Sequence, residues 1–369
     1  MLLRGSMVNP WDLRPWELLG EGYDVSVLVP KRNLHASEAL NLQRVAVRTL
    51  GDRLPAGRAG SLLTRAVGER YLQLEQHLRG ADIVHGAELG FWFTRQAAQL
   101  RERLGFRLVL TVWETIPFLD AYRNIRTRRY RRDVLEHADL FLATTERAAT
   151  ALILEGVSAE LVRICPPGVD LDRFAAARVA APAADSTQLV LSAGRLVWEK
   201  GHQDVLRAVA LLRSRGRRDI RVLIIGSGPE ERRLRGVIDD LGLTDVVELR
   251  GVVPYDEMPV VYAAASCLVL ASLPTPFWEE QFGMVLAEAM AAHLPVITTR
   301  SGAIPEVVGD DATLVAPGDW IGLADALERG PLASPPGTRK PASAERVERF
   351  GTAAAASRLR AVYDELTAR

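Results

Sequence analysis

The run Ser192-Ala193-Gly194-Arg195-Leu196-Val197-Trp198-Glu199-Lys200-Gly201 places two cations between an apolar segment and the helical pattern His202–Arg213. Cations at a strand-to-helix turn, beside the positive end of a helix dipole, suit a phosphate group. Arginine would bring a planar fork and lysine a compact point charge. The chain holds 46 Lys and Arg residues, yet only Lys31, Lys200 and Lys340 are lysines. Arginine is the default cation here, so a lysine kept at such a turn asks for a reason. The plain alternative is a pair of solvated loop cations.

A second constellation is Glu280-Gln281-Phe282-Gly283-Met284-Val285-Leu286-Ala287-Glu288. The helical pattern from Gly283 to Ala292 is apolar nearly all round, and Glu288 is its one charge. A carboxylate buried there is costly unless partnered. It is read either as a satisfied buried ion or as an acceptor for ligand hydroxyls. Glu280, just ahead of the helix, is read as a dipole partner or as a second ligand carboxylate. Gly283 lets backbone amides approach a ligand closely. Two further turns, Gly226-Ser227-Gly228-Pro229 and Ser301-Gly302-Ala303-Ile304-Pro305-Glu306, also follow apolar runs. Alone each is a weak signal. Four turns at the carboxyl ends of strands in one domain would line one face, where open α/β sheets bind ligands.

The elements that must position these residues follow from the apolar runs. Strands are expected at 25–30, 45–49, 82–85, 107–113, 140–145, 162–165, 189–193, 221–225, 246–249, 267–271 and 296–299. Helical patterns such as 60–78, 91–104 and 231–241 lie between them. Continuously apolar strands alternating with helices indicate parallel sheets covered on both faces. So many strands exceed one ordinary doubly wound sheet, as does a length of 369 residues. Two Rossmann-like α/β domains are expected: residues 1–174, a linker over the alanine-rich 175–187, and residues 188–352. A helix over 353–369 would rejoin the first domain. The segment 330–344 holds four prolines and reads as a surface loop. The opening Leu2-Leu3-Arg4-Gly5-Ser6 is at most a stub of the expected first strand.

Composition narrows the classes. Equal numbers of acidic and basic side chains, 46 each, argue against a nucleic-acid partner. The two cysteines, Cys165 and Cys267, lie in apolar runs, which fits a reducing compartment and a cytoplasmic protein. The six histidines make no metal-ligand pattern. The uncharged stretch 258–278 contains three prolines and reads as helix, strand and loop rather than a membrane span. The run Arg123–Arg132 carries six arginines. It is read as a solvated helix face or as a peripheral contact with anionic lipid at the inner membrane face.

Gly194-Arg195 with Lys200-Gly201, the Gly226-Ser227-Gly228-Pro229 turn, Glu280 and Glu288 around Phe282-Gly283, and Gly302 with Pro305-Glu306 resemble the retaining nucleotide-sugar glycosyltransferases of family 4, which have the GT-B fold. The likeness in order and spacing covers roughly residues 160–320. It implies two facing Rossmann-like domains and a nucleoside-diphosphate sugar as donor. It implies catalytic roles for Arg195, Lys200 and Glu280, with the cations on the diphosphate and Glu280 on the transferred sugar. Gly194, Gly226, Ser227, Phe282, Gly283 and Met284 would also meet the donor. Glu288 would bind the ribose, and the base would lie near Arg250 and Gly251. No cofactor or bound metal is implied, and the hydroxyl acceptor is left unnamed. The sequence departs from the family pattern on the acceptor side. Trp113 and Glu114 stand where many members have a His, and the first glycine-rich loop shrinks to Gly5-Ser6 and Asn9. Asn9, His85, Trp113 and Glu114 are the acceptor-side candidates. The rival readings are a nucleotide-sugar epimerase of the same fold and a non-catalytic glycosyltransferase-like subunit.

Overall fold

The computed structural model describes all residues except 55–59, 61, 62, 64–67, 69, 120–124, 180–185 and 369, and leaves the side chains of Ile125 and Arg126 undescribed. The chain forms two compact units: Met1–Gly168 with Phe350–Arg369, and Val169–Arg349. Each is a parallel sheet with helices between successive strands, the Rossmann-like arrangement.

The first unit contains β1 (Ser26–Pro30), β2 (Gln43–Val47), β3 (Ile83–Ala87), β4 (Arg107–Val112), β5 (Leu140–Ala143) and β6 (Val162–Ile164). β3 to β6 pair in sequence order, and β2 pairs with β1. The stub at the start of the chain joins these two pieces. Leu2 bridges Val27 on one side and His85 on the other, so it serves as a one-residue first strand. Its amide donates to Ser26 and its carbonyl accepts from Leu28. Leu2 and Leu3 are buried, which repays the brevity of the strand.

The helix Thr352–Thr367 packs in this unit, with Leu359, Val362, Tyr363 and Leu366 in one cluster with Leu13, Trp16 and Leu19. A polar chain runs through that contact. Trp16 Nε1 donates to the Tyr363 hydroxyl at 2.7 Å. The hydroxyl also hydrogen-bonds His85 Nδ1, 2.6 Å away. Its other ring nitrogen, Nε2, hydrogen-bonds Thr111 Oγ1 at 2.8 Å. Burial holds this imidazole neutral, well below its ordinary pKa.

The second unit contains β7 (Gln188–Ala193), β8 (Ile220–Ile225), β9 (Val247–Arg250), β10 (Cys267–Leu270), β11 (Val296–Thr299) and β12 (Thr313–Val315). Their spatial order is β12-β11-β10-β7-β8-β9, all parallel. Numbered within the unit this is the doubly wound order 3-2-1-4-5-6. The strand order reverses between β7 and β10, and the loops leaving those two strands diverge around a crevice.

Four expectations need correction. The stretch 60–78, expected as one helix, is interrupted: its described helical residues are Gly60, Leu63 and Leu74–Leu78. Just ahead of Leu74 the chain is extended: Tyr71 bridges Thr49, and Leu72 donates to Arg48. Residues 169–174, expected with the first domain, pack in the second, where buried Phe174 meets Tyr255 and Tyr262 edge-on. β12 was not foreseen, because it has only three residues and none is fully buried. The proline-rich segment 330–344 is more than a surface loop: Arg339 donates to the carbonyls of Tyr262, Ala263 and Ala265. It thereby satisfies the orphan carbonyls at the end of the helix Met258–Ala264.

The stretch 258–278 divides into that helix, β10 and a loop, and no described helix is long and apolar enough to cross a membrane. Residues 180–185 of the expected linker, and Arg123 and Asn124 of the arginine run, lie outside the described residues. Within the helix Ile125–His137, Arg128, Arg129 and Arg132 are exposed, whereas Arg131 turns inward to pair with Glu155.

Candidate active site

The crevice between β7 and β10 brings Lys200 and Glu280 together. Lys200 Nζ donates to Glu280 Oε2 at 2.7 Å, with side chains 14% and 7% exposed. Each arrives by a separate loop. Lys200 ends the single turn Trp198–Lys200 that follows β7. Glu280 follows the loop out of β10 and is fixed through its backbone: its carbonyl accepts from Ala303 at 2.8 Å. Ser272 Oγ donates to the same Glu280 oxygen at 2.7 Å. Ser272 is in turn held by Thr299, whose hydroxyl donates to its carbonyl at 2.5 Å. The carboxylate is thus gripped by elements from three strand ends.

Two glycines make the approach possible. Gly201 has φ +70°, and a Cβ there would lie 1.8 Å from the Ala271 carbonyl oxygen. Gly302 has φ +54°, and its Cβ would lie 2.1 Å from the Glu280 carbonyl oxygen. Only glycine lets these loops touch the β10 connection. These close contacts, rather than a phosphate fingerprint, account for both glycines.

Arg195 differs from Lys200. Its side chain is exposed and has no hydrogen-bond or ion-pair partner among the described residues. Its backbone is anchored by His202, which is fully buried beneath the turn. His202 Nε2 faces the Arg195 carbonyl at 3.2 Å, which requires the proton on that nitrogen. Nδ1 then accepts from Ser192 Oγ at 2.9 Å. Burial pushes the pKa of His202 down to about 4. With both nitrogens engaged in this way, His202 is a structural support and no proton shuttle.

The sign of this shift gives a stability prediction. In the unfolded chain a histidine titrates near ~6.5. Between about pH 6.5 and 4 the unfolded chain binds a proton that folded His202 refuses, so stability falls as pH is lowered through that window. Above it this residue contributes no pH dependence. His85 is depressed in the same direction. Denaturant midpoints at pH 7 and pH 5 check this: the wild type is expected to lose more stability than His202→Gln. An equal loss in both would refute the assignment.

Glu288 lies in the helix Met284–Ala291 and is 4% exposed. The Tyr262 hydroxyl donates to its Oε2 at 2.7 Å. Burial and the neighbouring carboxylate raise the Tyr262 pKa well above its ordinary value, so the phenol stays protonated as a donor. Gly283, with φ +83°, caps this helix without a side-chain bond to its first amides. Phe282 is buried beside it.

Gly194, Gly226 and Ser227 form one layer at the ends of β7 and β8: the Gly194 amide donates to Ile225, and the Leu196 amide to Ser227. Arg250 and Gly251, at the end of β9, are exposed, and Arg250 pairs with Glu248 at 2.7 Å. Apart from Glu288, which lies within the helix Met284–Ala291, the donor-side candidates fall in the connections that leave the carboxyl ends of strands in this unit.

The acceptor-side candidates of the first unit are employed internally. Asn9 caps the helix Pro10–Glu17, accepting from the Trp11 amide at 3.1 Å. His85 is 1% exposed inside the polar chain described above, so it is not presented to a ligand. Glu114 Oε1 accepts from the amides of Thr115 and Ile116, both at 2.9 Å, and braces its own loop. The Trp113 amide donates to Glu88 Oε1 at 2.8 Å. Glu88 was not singled out by sequence; it has φ +56°, an uncommon backbone conformation for a side-chain-bearing residue, directly after β3.

Sequence reasoning also missed Ser272, Tyr262, His202 and Trp278. None belongs to a spaced motif, and their roles are visible only where chain-distant loops meet. Among the described residues no group of His, Cys, Asp and Glu could hold a metal ion.

Comparison with known proteins agrees with this geometry. Residues 175–330 match the family model described as Glycosyl transferases group 1. Residues 16–173 match that of Glycosyltransferase Family 4. The chain belongs to the GT-B glycosyltransferases, with the Glycosyltransferase Family 4 segment first and the group 1 segment after it.

Among curated relatives it is 30% identical to 2-deoxystreptamine glucosyltransferase of Streptomyces kanamyceticus, over 60% of this chain and 58% of that one. It is 32% identical to D-inositol 3-phosphate glycosyltransferase of Corynebacterium jeikeium, over 66% of this chain and 62% of that one. The chain thus spans less than two thirds of either relative. Among solved structures, Anabaena HepE in complex with UDP and glucose superposes with a TM-score of 0.71 at 20% identity, covering 98% of both chains. Sucrose-phosphate synthase from Thermosynechococcus elongatus superposes with a TM-score of 0.73 at 23% identity, covering 100% of this chain and 98% of that one. At such identities the likeness concerns the fold.

Proposed function

We propose that the protein transfers a sugar from a nucleoside-diphosphate sugar to a hydroxyl acceptor, with retention of configuration and without a metal ion. The observation that carries this reading is the Lys200–Glu280 pair at the strand-order reversal, with the unpaired guanidinium of Arg195 on the neighbouring turn. The bond from the anomeric carbon to the diphosphate oxygen breaks, which builds positive charge on the sugar and negative charge on the leaving group. Arg195, Lys200 and the first amides of the helix Met284–Ala291 are the donors that would meet that negative charge. Glu280 takes a sugar hydroxyl, and Glu288 the ribose. On the front-face route the acceptor oxygen attacks the same face, and its proton passes to the departing diphosphate oxygen.

Support for a uridine donor comes from HepE, which was solved with UDP and with UDP-glucose. The names of the two curated relatives point to a polyhydroxylated cyclitol as the class of acceptor to try first. An epimerase would need acid–base groups in the crevice, and His202, the histidine nearest the pair in sequence, is buried with both nitrogens engaged. Among the arginines whose side chains are described, Arg128, Arg129 and Arg132 are open to a peripheral membrane contact, whereas Arg131 is spent on Glu155.

A panel of UDP-, GDP- and ADP-sugars, assayed for released nucleoside diphosphate with and without cyclitol acceptors, tests the reading. Turnover of one donor is expected. Tight nucleotide binding with no hydrolysis or transfer from any donor would instead favour a non-catalytic subunit.

A further inference from the structure

Building on the donor-site reading above, we propose that Trp278 is a sugar-recognition residue: its indole face stacks on the C–H face of the donor sugar whose hydroxyl edge Glu280 receives. The loop leaving β10 is Leu273-Pro274-Thr275-Pro276-Phe277-Trp278, and it is built as a rigid turn. The Thr275 amide donates to the Trp278 carbonyl at 2.7 Å, and the Phe277 amide donates to Thr275 Oγ1 at 3.3 Å. Prolines on both sides of Thr275 restrict the backbone further. At its base, the Leu273 amide donates to the Glu199 carbonyl at 2.7 Å, which ties the turn to the one that carries Lys200.

The result is that Trp278 stands beside the charged pair. Its ring centroid lies 5.2 Å from Lys200 Nζ, while that Nζ donates to Glu280. Trp278 is half-buried, with part of its surface open to solvent. A half-exposed indole gains little from that setting unless something covers it. A hexose has an apolar C–H face and a polar hydroxyl edge. An aromatic plane next to a fixed carboxylate and a fixed ammonium matches both, and tryptophan combines a large apolar body with a polar tip.

The alternative is that Trp278 merely packs on Lys200 and holds its position. The two roles separate in binding. A residue acting on Lys200 alone affects the diphosphate, so it alters affinity for the nucleoside diphosphate and the nucleotide sugar equally. A stacking residue affects only the sugar. The wild-type protein is titrated by calorimetry with UDP, GDP and ADP and with their glucose and mannose conjugates, and the preferred pair is repeated with two variants. Trp278→Ala is expected to weaken the nucleotide sugar by about tenfold, the size of one lost aromatic contact. Its Kd for the parent diphosphate should stay within about twofold of wild type, and Trp278→Phe should recover most of the lost affinity. Equal weakening of both ligands, or of neither, would overturn the stacking role. A wild type that binds none of the nucleotide sugars would overturn the donor-site reading, and this one with it.

Discussion

Replacing Lys200 with alanine is expected to lower turnover of the preferred donor by about 100-fold or more, the usual loss when one fixed electrostatic donor to a developing negative charge is removed. The geometry makes this lysine hard to replace. Its stem runs past Gly194, where an added Cβ would sit 3.6 Å from Lys200 Cδ, and its ammonium ends on Glu280. Arginine has the same charge but a longer, planar head. Lys200→Arg would have to displace either the Ser272–Glu280 bond or Trp278, so it too should be impaired. The loss should fall mainly on kcat, because the charge on the leaving group grows towards the transition state. Lys200→Ala also leaves Glu280 buried without its cation, so thermal stability should drop in the same variant. Steady-state kinetics beside a melting curve separate the two effects. Substituting exposed Lys31 or Lys340 should leave both unchanged. Full activity in Lys200→Ala would place the donor site elsewhere.

Much of the fold was legible in the pattern of residues. The alternation of apolar runs with helical patterns gave the two parallel sheets, because a strand buried on both faces has to be apolar throughout. Lys200 stood out since lysine is so rare in this chain, and Glu288 since it interrupts an apolar helix. What the sequence did not carry was pairing. Lys200 and Glu280 are far apart in the chain, and separate ligand roles suited each of them. Their ion pair exists only because β7 and β10 are neighbours in space. Tyr262 was hidden for the same reason: it lies on the helix before β10 and meets Glu288 on the helix after it. The acceptor-side candidates rested on a weaker signal. Asn9 and His85 are polar residues in suitable places, but a polar residue near a strand end serves equally well as a cap or a buried link, and here both do.

Glu288 itself carries the second large expectation. Glu288→Ala should reduce donor turnover by about 100-fold or more, and here through binding as well as rate. The residue has a job in the free protein, since its Oε2 accepts from the fully buried Tyr262 hydroxyl. Deleting the carboxylate therefore removes a ligand contact and strands a buried phenol, a cost of about 1–3 kcal/mol in stability. Tyr262→Phe separates these effects, because it keeps the carboxylate and removes the hydroxyl that orients it. If Glu288 served only to satisfy Tyr262, Tyr262→Phe with Glu288→Leu would restore stability and leave turnover intact. If Glu288 binds the ribose hydroxyls, the double variant regains stability but stays inactive, and its loss is larger for a ribonucleotide donor than for the 2′-deoxy analogue. The ratio of kcat/KM for the two donors, measured in wild type and in Glu288→Ala, isolates the hydroxyl contact. A ratio that the substitution leaves unchanged would remove Glu288 from the donor site and return it to the hydrophobic core as a satisfied buried acid.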